Sequence, residues 1–326
     1  MNKTTHLDSV IKTHQISKEE SLLSKHKEKN TEVKEALQKN YGEKIYSPFN
    51  SGSYAKNTAM NLKFDFDMVA PFKRNAFGSN GTLKEMYEDV FDFLYEKYKD
   101  VAEVRKQKVS IGIEFHADED GDIVKIDVVP GRELSQDKYN ETEDLNLYVY
   151  NKYGVIEAGS ERIKTNVKAQ INNIKDRAEK EKDSIRKIIR LLKVWKNTKL
   201  SSPAKSFFLE LITIKAFDNK DISGNLWDKL ETVLEYIRDE VTKDTFTLKD
   251  PGNSNNDLID TLTSFDRQNL SDDMKLILER IEDNDENIKT YFPENQKFVE
   301  EEEDDNKYDN KGSGFYSTPP KTERFG

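Results

Sequence analysis

Residues 51–69 read SGSYAKNTAMNLKFDFDMV. Two aspartates, Asp65 and Asp67, stand one residue apart on an apolar run, and Asp65 follows Ser53 of a Gly-Ser pair by twelve residues. Residues 62–70 (LKFDFDMVA) alternate at period two and read as a strand that Pro71 ends. Residues two apart in a strand face the same way and lie roughly 6–7 Å apart. Asp65 and Asp67 therefore project from one face, with Phe64 and Phe66 anchoring the other. Two carboxylates that close repel each other unless a cation sits between them. Mg²⁺ suits the position, since it takes hard oxygen ligands, commonly one or two carboxylates plus substrate phosphates.

A third acid, Asp127, lies inside IVKIDVV at 123–129, a place more often apolar. If this strand pairs beside 62–70, three carboxylates converge. Such a trio can hold two ions about 3.5–4 Å apart, the arrangement that activates an attacking hydroxyl and stabilises a leaving pyrophosphate. Gly52 lets backbone approach a triphosphate closely. Ser53 offers a hydroxyl and an N–H, and SGSYAKNT reads as a short turn opening into a helix whose N-terminus favours anions. Taken singly, each element is an ordinary turn or a solvated strand. Their order and spacing carry the argument: Gly-Ser, twelve residues to D-x-D, sixty more to a strand aspartate.

The 326 residues suffice for two lobes or one bilobal domain, and the net charge is -10. An acidic chain binds nucleic acid only through a local basic patch, so a duplex-coating role is disfavoured. No cysteine is present, which excludes disulfides, thiolate zinc sites and a cysteine nucleophile. The histidines (His6, His14, His26 and His116) do not cluster as metal ligands, and His116 reads as a surface or packing residue. No apolar run of roughly 18 residues predicts a membrane span. The N-terminus lacks the apolar stretch of a signal peptide, so a soluble cytoplasmic protein is expected.

Residues 7–41 are helix-like, and a Gly/Asn/Ser loop at 75–81 precedes a helix at 83–98 capped by Thr82. Residues 108–116 and 123–129 read as a β-hairpin around the acidic turn Asp118–Asp122, the second strand stopped by Pro130-Gly131. The first half is thus helix, strand, helix and hairpin. Residues 160–198 read as one long helical region with Ile185, Ile188, Ile189, Leu192 and Trp195 inward. Further helices are expected at 206–217, 226–241 and 271–291, the last with Leu276, Ile277 and Ile281 on its apolar side, and a loop at 250–257. The expected organisation is α+β. It comprises an N-terminal helix and sheet lobe over 1–157, a helical lobe over 158–293, and an acidic mobile tail over 294–326.

This pattern resembles the polymerase-β-like nucleotidyltransferases, which carry an hGS motif, a [DE]h[DE] pair and a third acid on a neighbouring strand. More narrowly it resembles the bacterial cGAS/DncV-like nucleotidyltransferases (CD-NTases), over roughly residues 40–290. IIRLLKVWK at 188–196 is similar to the helix that presents a phosphate-binding lysine, here Lys193. KSFFLELI at 205–212 is similar to the segment whose serine, here Ser206, meets the same triphosphate, and DPGNSNND at 250–257 to a late Asp-Pro…Asn-Asn loop. The resemblance implies a bilobal cage: a sheet lobe carrying two Mg²⁺ ions, which Mn²⁺ can replace, and a helical lobe closing over two nucleotides. Asp65, Asp67 and Asp127 would be the metal ligands, Asp127 also helping to deprotonate the attacking ribose hydroxyl. Gly52 and Ser53 would hold donor phosphates. The family joins NTPs into cyclic di- or trinucleotides as alarm signals during phage infection (CBASS).

Residues 162–199 hold thirteen Lys/Arg against four Asp/Glu. Most of these side chains read as a solvated face, Lys193 being the exception because it adjoins the apolar stripe. The acidic balance and the lack of a Cys/His insertion predict synthesis without a nucleic-acid activator. A monomer is expected, with an operon-encoded regulator or conjugation machinery acting at the Phe325-Gly326 terminus as a further partner. Tyr54, Tyr148, Tyr150 and Tyr153 are equally candidates for base stacking and for packing. Two alternatives stay open. One is a template-independent transferase acting on an RNA end or a small acceptor, the other an inert nucleotide-binding scaffold.

Overall fold

The computed structural model describes residues 1–62, 65–78, 81–153, 161–199 and 202–299. Phe64, two residues of the 75–81 loop and the chain beyond 299, with Phe325 and Gly326, lie outside the described residues.

The charged segment 7–41 forms two helices, α1 (Lys3–Thr13) and α2 (Glu20–Tyr41), separated by a short 3-10 turn. They serve different cores. Leu7, Val10 and Ile11 of α1 are buried among the helices of the second half, whereas Val33, Leu37 and Tyr41 of α2 are buried against the sheet. The chain therefore does not divide between its two cores in one cut near 157.

After α2 come β1 (Phe49–Asn50), α3 (Gly52–Ala55), β2 (Phe66–Phe72), α4 (Leu83–Tyr98), β3 (Ala102–Lys106), β4 (Ile111–Phe115), β5 (Lys125–Glu133), α5 (Tyr139–Thr142), β6 (Leu145–Tyr148) and β7 (Arg162–Thr165). These strands make one sheet in the order β1-β2-β5-β4-β3, with β6 beside β5 and β7 beside β6. α4 begins at a capping box: Thr82 Oγ1 accepts from the Glu85 N–H, and Glu85 accepts from the Thr82 N–H. Its stripe of Met86, Tyr87, Val90 and Leu94 is fully buried on the sheet.

Two prolines expected to stop strands do not. β2 runs through Pro71 to Phe72. The Pro71 carbonyl faces the β1 side, where it accepts from the Tyr46 N–H. The missing N–H points to that same side, where the ladder with β1 has already ended at Val69. β5 continues through Pro130-Gly131 because it changes partner there, from β4 at Lys125–Val128 to β6 at Gly131–Glu133. Pro130 falls between the two ladders, so no bond is lost on that side.

The expected single helical region over 160–198 is three elements: β7, α6 (Val167–Lys175) and α7 (Glu179–Thr198). Pairing of β7 with β6 is a long-range contact that local periodicity cannot reveal. Asn166 caps α6 by accepting from the Ala169 N–H. Helices α8 (Ser206–Asn219), α9 (Leu226–Glu240), α10 (Ser264–Asp283) and α11 (Ile288–Tyr291) complete the helical lobe, with a small hairpin of β8 (Lys249–Asp250) and β9 (Asn253–Asp257) where a loop was expected. α8 is apolar nearly all round and forms the centre of this lobe. α10 starts seven residues earlier than expected, and Leu276 faces solvent; the buried stripe is Leu270, Met274, Ile277 and Ile281. Among the described residues, no helix is long and apolar enough to cross a membrane.

Candidate active site

The decisive pairing is parallel: β2 lies directly beside β5, with Asp67 opposite Asp127. Asp65 stands one residue ahead of β2. All three carboxylate residues are only partly exposed. Burial raises the Asp67 carboxyl to about 7, and the neighbouring charges of Asp65 and Asp127 add to the rise; the ammonium groups of Lys56 and Lys193 oppose it. Asp127 is raised for the same reasons, burial first and Asp65 second, while its Oδ1 accepts from Gln107 Nε2 at 3.0 Å.

Two glycines make room for these acids. Gly52 opens α3 with φ +60°, a conformation glycine adopts freely. A Cβ built there would lie 1.7 Å from Asp67 Oδ2, so no other residue fits without moving the carboxylate. Gly112 of β4 faces Asp127 across the sheet; a Cβ there would meet Gln107 Nε2 at 2.4 Å and Asp127 Oδ1 at 3.2 Å.

Facing the acids is a cleft of about 490 Å³ between the lobes. Asp65, Asp67, Ser53, Thr58, Lys193, Lys196 and Ser206 are on its walls. Asp127 is not on the wall but stands behind Asp67 on the adjacent strand. Of the sequence-predicted residues, Ser53, Asp65, Asp67, Lys193 and Ser206 thus meet at the cleft from both lobes, while Gly52 and Asp127 adjoin Asp67 without lining it. Ser206 is the first residue of α8, exposed, with Lys196 Nζ at 3.4 Å from its Oγ. Lys193 does not reach into open space: its ammonium donates to the Thr58 carbonyl at 2.9 Å and to Thr58 Oγ1 at 3.1 Å. Burial pushes it down to about 8, against the pull of Glu210.

The donor set fits divalent cations. Three crowded oxygen acids, two of them raised by desolvation and by one another, gain most from a hard cation, and the two glycines leave no side chain in its place. A different acidic trio, Asp118, Asp120 and Asp122 in the β4–β5 turn, holds its ligand atoms within 4.8 Å of one another. The Lys25 ammonium already lies among them, at 2.6, 2.7 and 2.7 Å. Among the described residues only that trio is so compact. The strand acids are spread more widely, as expected for like charges without a direct counter-ion and for a site accommodating two ions.

Several participants escaped the sequence reading. His26, one of three buried N-terminal histidines, lies within the field of Asp65, 5.4 Å from the Phe66 ring. Its Nδ1 is 2.9 Å from the Leu22 carbonyl and its Nε2 accepts from the Lys125 N–H, tying α2 to the start of β5. Lys56 is buried against Glu210 of α8, and Arg186 and Arg190 reach the same segment from α7. The sequence reading left these arginines on a solvated face; a stripe at 186, 190 and 193 beside the apolar one was the available signal. The tyrosines are not on the cleft wall. Tyr54 stacks on Phe66, Tyr148 is buried in the sheet core, Tyr150 stacks on Tyr87, and Tyr153 is exposed.

No protein-family model matches this chain, and no curated protein does. Solved structures do. The CD-NTase CdnG of Bradyrhizobium diazoefficiens, in complex with GTP, matches with a TM-score of 0.69 at 13% identity, covering 90% of this chain and 96% of that one. CdnC of E. coli MS115-1 with ATP matches with a TM-score of 0.65 at 17% identity, covering 87% and 96%. The Vibrio cholerae cyclic AMP-GMP synthase DncV, with a linear intermediate, matches with a TM-score of 0.59 at 14% identity, covering 76% and 68%. At these identities the likeness establishes the fold: this chain shares the α+β fold of those proteins.

Proposed function

We propose that this chain is a metal-dependent nucleotidyltransferase of the CD-NTase kind, joining NTPs into a cyclic di- or trinucleotide messenger for anti-phage defence and releasing pyrophosphate. The observation that carries the reading is the side-by-side placement of Asp67 and Asp127 on parallel strands, with Asp65 beside them, across a cleft from Lys193, Lys196 and Ser206. ATP and GTP, the ligands of the structurally similar proteins, are of the class such a cleft suits.

Asp65, Asp67 and Asp127 would hold two divalent ions, Mg²⁺ or Mn²⁺. Bound there, the ions supply charge neutralisation on the triphosphate and a lowered pKa at the attacking hydroxyl. The chain's own groups do the rest. Gly52 brings the backbone of α3 against Asp67, and the Ser53 hydroxyl and N–H are available to donor phosphate oxygens. Asp127, beside Asp67 on the adjacent strand, would help take the proton of an attacking ribose hydroxyl. Lys196 and Ser206, and Lys193 on exchanging Thr58 for a phosphate oxygen, offer donors from the opposite wall. The net charge of -10 supports activity without a nucleic-acid activator, in the cytoplasm where NTPs are abundant.

Incubation with all four labelled NTPs and Mg²⁺, then phosphatase and nuclease digestion, tests the reading. A phosphatase-resistant cyclic product is expected. A product that is linear and dependent on an added primer or acceptor rejects cyclisation in favour of a tailing or small-acceptor transferase.

A further inference from the structure

The segment 56–58 joins α3 to the approach of β2, and its three consecutive peptide oxygens are each taken by one side chain of α7. Arg186 Nε donates to the Lys56 carbonyl at 3.0 Å, Arg190 Nη2 to the Asn57 carbonyl at 2.6 Å, and Lys193 Nζ to the Thr58 carbonyl at 2.9 Å. Positions 186, 190 and 193 follow one helical face. The Lys56 side chain leaves in another direction, pairing with Glu210 of α8 at 2.5 Å and lying 4.6 Å from the centre of the Phe207 ring. Both members of that pair are nearly inaccessible, with side-chain exposures of 6% and 5%. The held segment passes the constraint on: the Thr58 N–H donates to the Ser53 carbonyl at 2.9 Å and the Lys56 N–H to Gly52 at 3.4 Å. Gly52 in turn abuts Asp67.

Such a clamp is costly for a connecting loop. Burial and the neighbouring Arg186 hold the Arg190 guanidinium below its ordinary value, and it donates to two uncharged oxygens of Asn57. A buried ion pair is often no more stable than apolar residues of the same size. Asn57 is held with φ +56°, in the left-handed region, and Arg190 bonds its carbonyl and its side-chain oxygen together.

We propose that Arg186, Arg190 and the Lys56–Glu210 pair are positioning residues, through which the helical lobe sets where the sheet lobe's turn 52–58 holds Gly52 against Asp67 and Ser53 in the cleft wall. The inference rests on the nucleotidyltransferase reading and adds to it a group of residues none of which lines the cleft. A displaced phosphate turn leaves most binding contacts in place and spoils alignment, which costs turnover more than affinity.

The test compares the full-length wild type with Arg190→Met, Arg190→Lys and the double variant Lys56→Met/Glu210→Leu. Three quantities are measured: melting temperature, amide exchange of the 51–60 and 125–133 peptides, and kcat with KM for NTPs. In Arg190→Met, exchange quickens at 51–60 and not at 125–133, and kcat falls about 10- to 100-fold with KM little changed. Arg190→Lys, with one ammonium for a forked guanidinium, recovers part of the rate. The double variant melts no lower than wild type, yet loses turnover likewise. Unchanged kcat in both apolar variants overturns the proposal. So does a loss of kcat that tracks melting temperature and disappears on cooling. Unchanged exchange at 51–60 in Arg190→Met overturns it whatever the activity. A wild-type chain that releases no pyrophosphate from any NTP mixture overturns the nucleotidyltransferase reading instead.

Discussion

Two trios of aspartates, one in the β4–β5 turn and one at the head of β2 and β5, are opposites. In the β4–β5 turn, Asp118, Asp120 and Asp122 surround the Lys25 ammonium, and their side chains are 39%, 74% and 28% exposed. Hydrogen bonding to Lys25 depresses the Asp118 carboxyl, and the three carboxylates raise the lysine. At the head of β2 and β5, burial and mutual repulsion drive Asp67 and Asp127 the other way. Crowded carboxylates alone do not mark a cation site. The first trio has its cation attached to the fold through α2. The second is desolvated at Asp67 and Asp127, and among the described residues none of its carboxylates forms an ion pair.

The sharpest way to break this contrast is catalytic. Asp67→Asn is expected to lower NTP turnover on the order of 10³-fold, the scale of a lost metal ligand. Asp120→Asn is expected to stay within about twofold of wild type, as surface substitutions do. Equal losses in the two would mean that the hairpin trio is the working site.

Metal titration sharpens the same contrast. Adding Mg²⁺ or Mn²⁺ to chelator-treated protein at about 100 times the dissociation constant is expected to add about 2.7 kcal/mol of stability. The gain is read as a raised melting temperature. It persists in Asp120→Asn and vanishes in Asp67→Asn; a shift that survives in the latter places the ion elsewhere.

The smallest effect is on stability against pH without metal. The Asp67 carboxyl is at about 7 when folded against an unfolded value of 3.8. Its contribution is therefore complete below about 3.8 and is lost as pH rises towards 7. The urea midpoint in chelator is expected to fall between pH 5 and pH 8 more steeply in wild type than in Asp67→Asn. Asp118, depressed by Lys25, keeps its contribution above 3.8 and loses it only in stronger acid, so Asp118→Asn leaves the slope between pH 5 and 8 unchanged. Parallel slopes in wild type and Asp67→Asn would remove the case for a cation-starved strand trio.

The residues that carry chemistry were legible because their types are improbable where they stand. Asp127 in a β-branched run, and Gly52-Ser53 a fixed distance before D-x-D, can be noticed without coordinates. The helices of the second half were legible from their stripes, as at Ile185, Ile188, Ile189, Leu192 and Trp195, all fully buried. What failed depended on partners far along the chain. Pro71 and Pro130 read as stops because nothing local tells which side of a strand lacks a neighbour. Arg186 and Arg190 read as solvated, and Lys56 drew no reading of its own, because a charged side chain announces neither its burial nor the carbonyl or carboxylate it meets. The membership of α1 in the far core is invisible to periodicity, which reports that a face is apolar and not what covers it.

That membership has a mechanical consequence. With α1 seated among α7 and α9, the polypeptide passes from one half of the molecule to the other near residue 15 and returns near residue 166. Two covalent crossings therefore tie the halves together, beside the α7 and α8 side chains that hold segment 56–58. Deleting the first fifteen residues would remove one crossing and uncover the apolar surface of α7 and α9 that α1 covers.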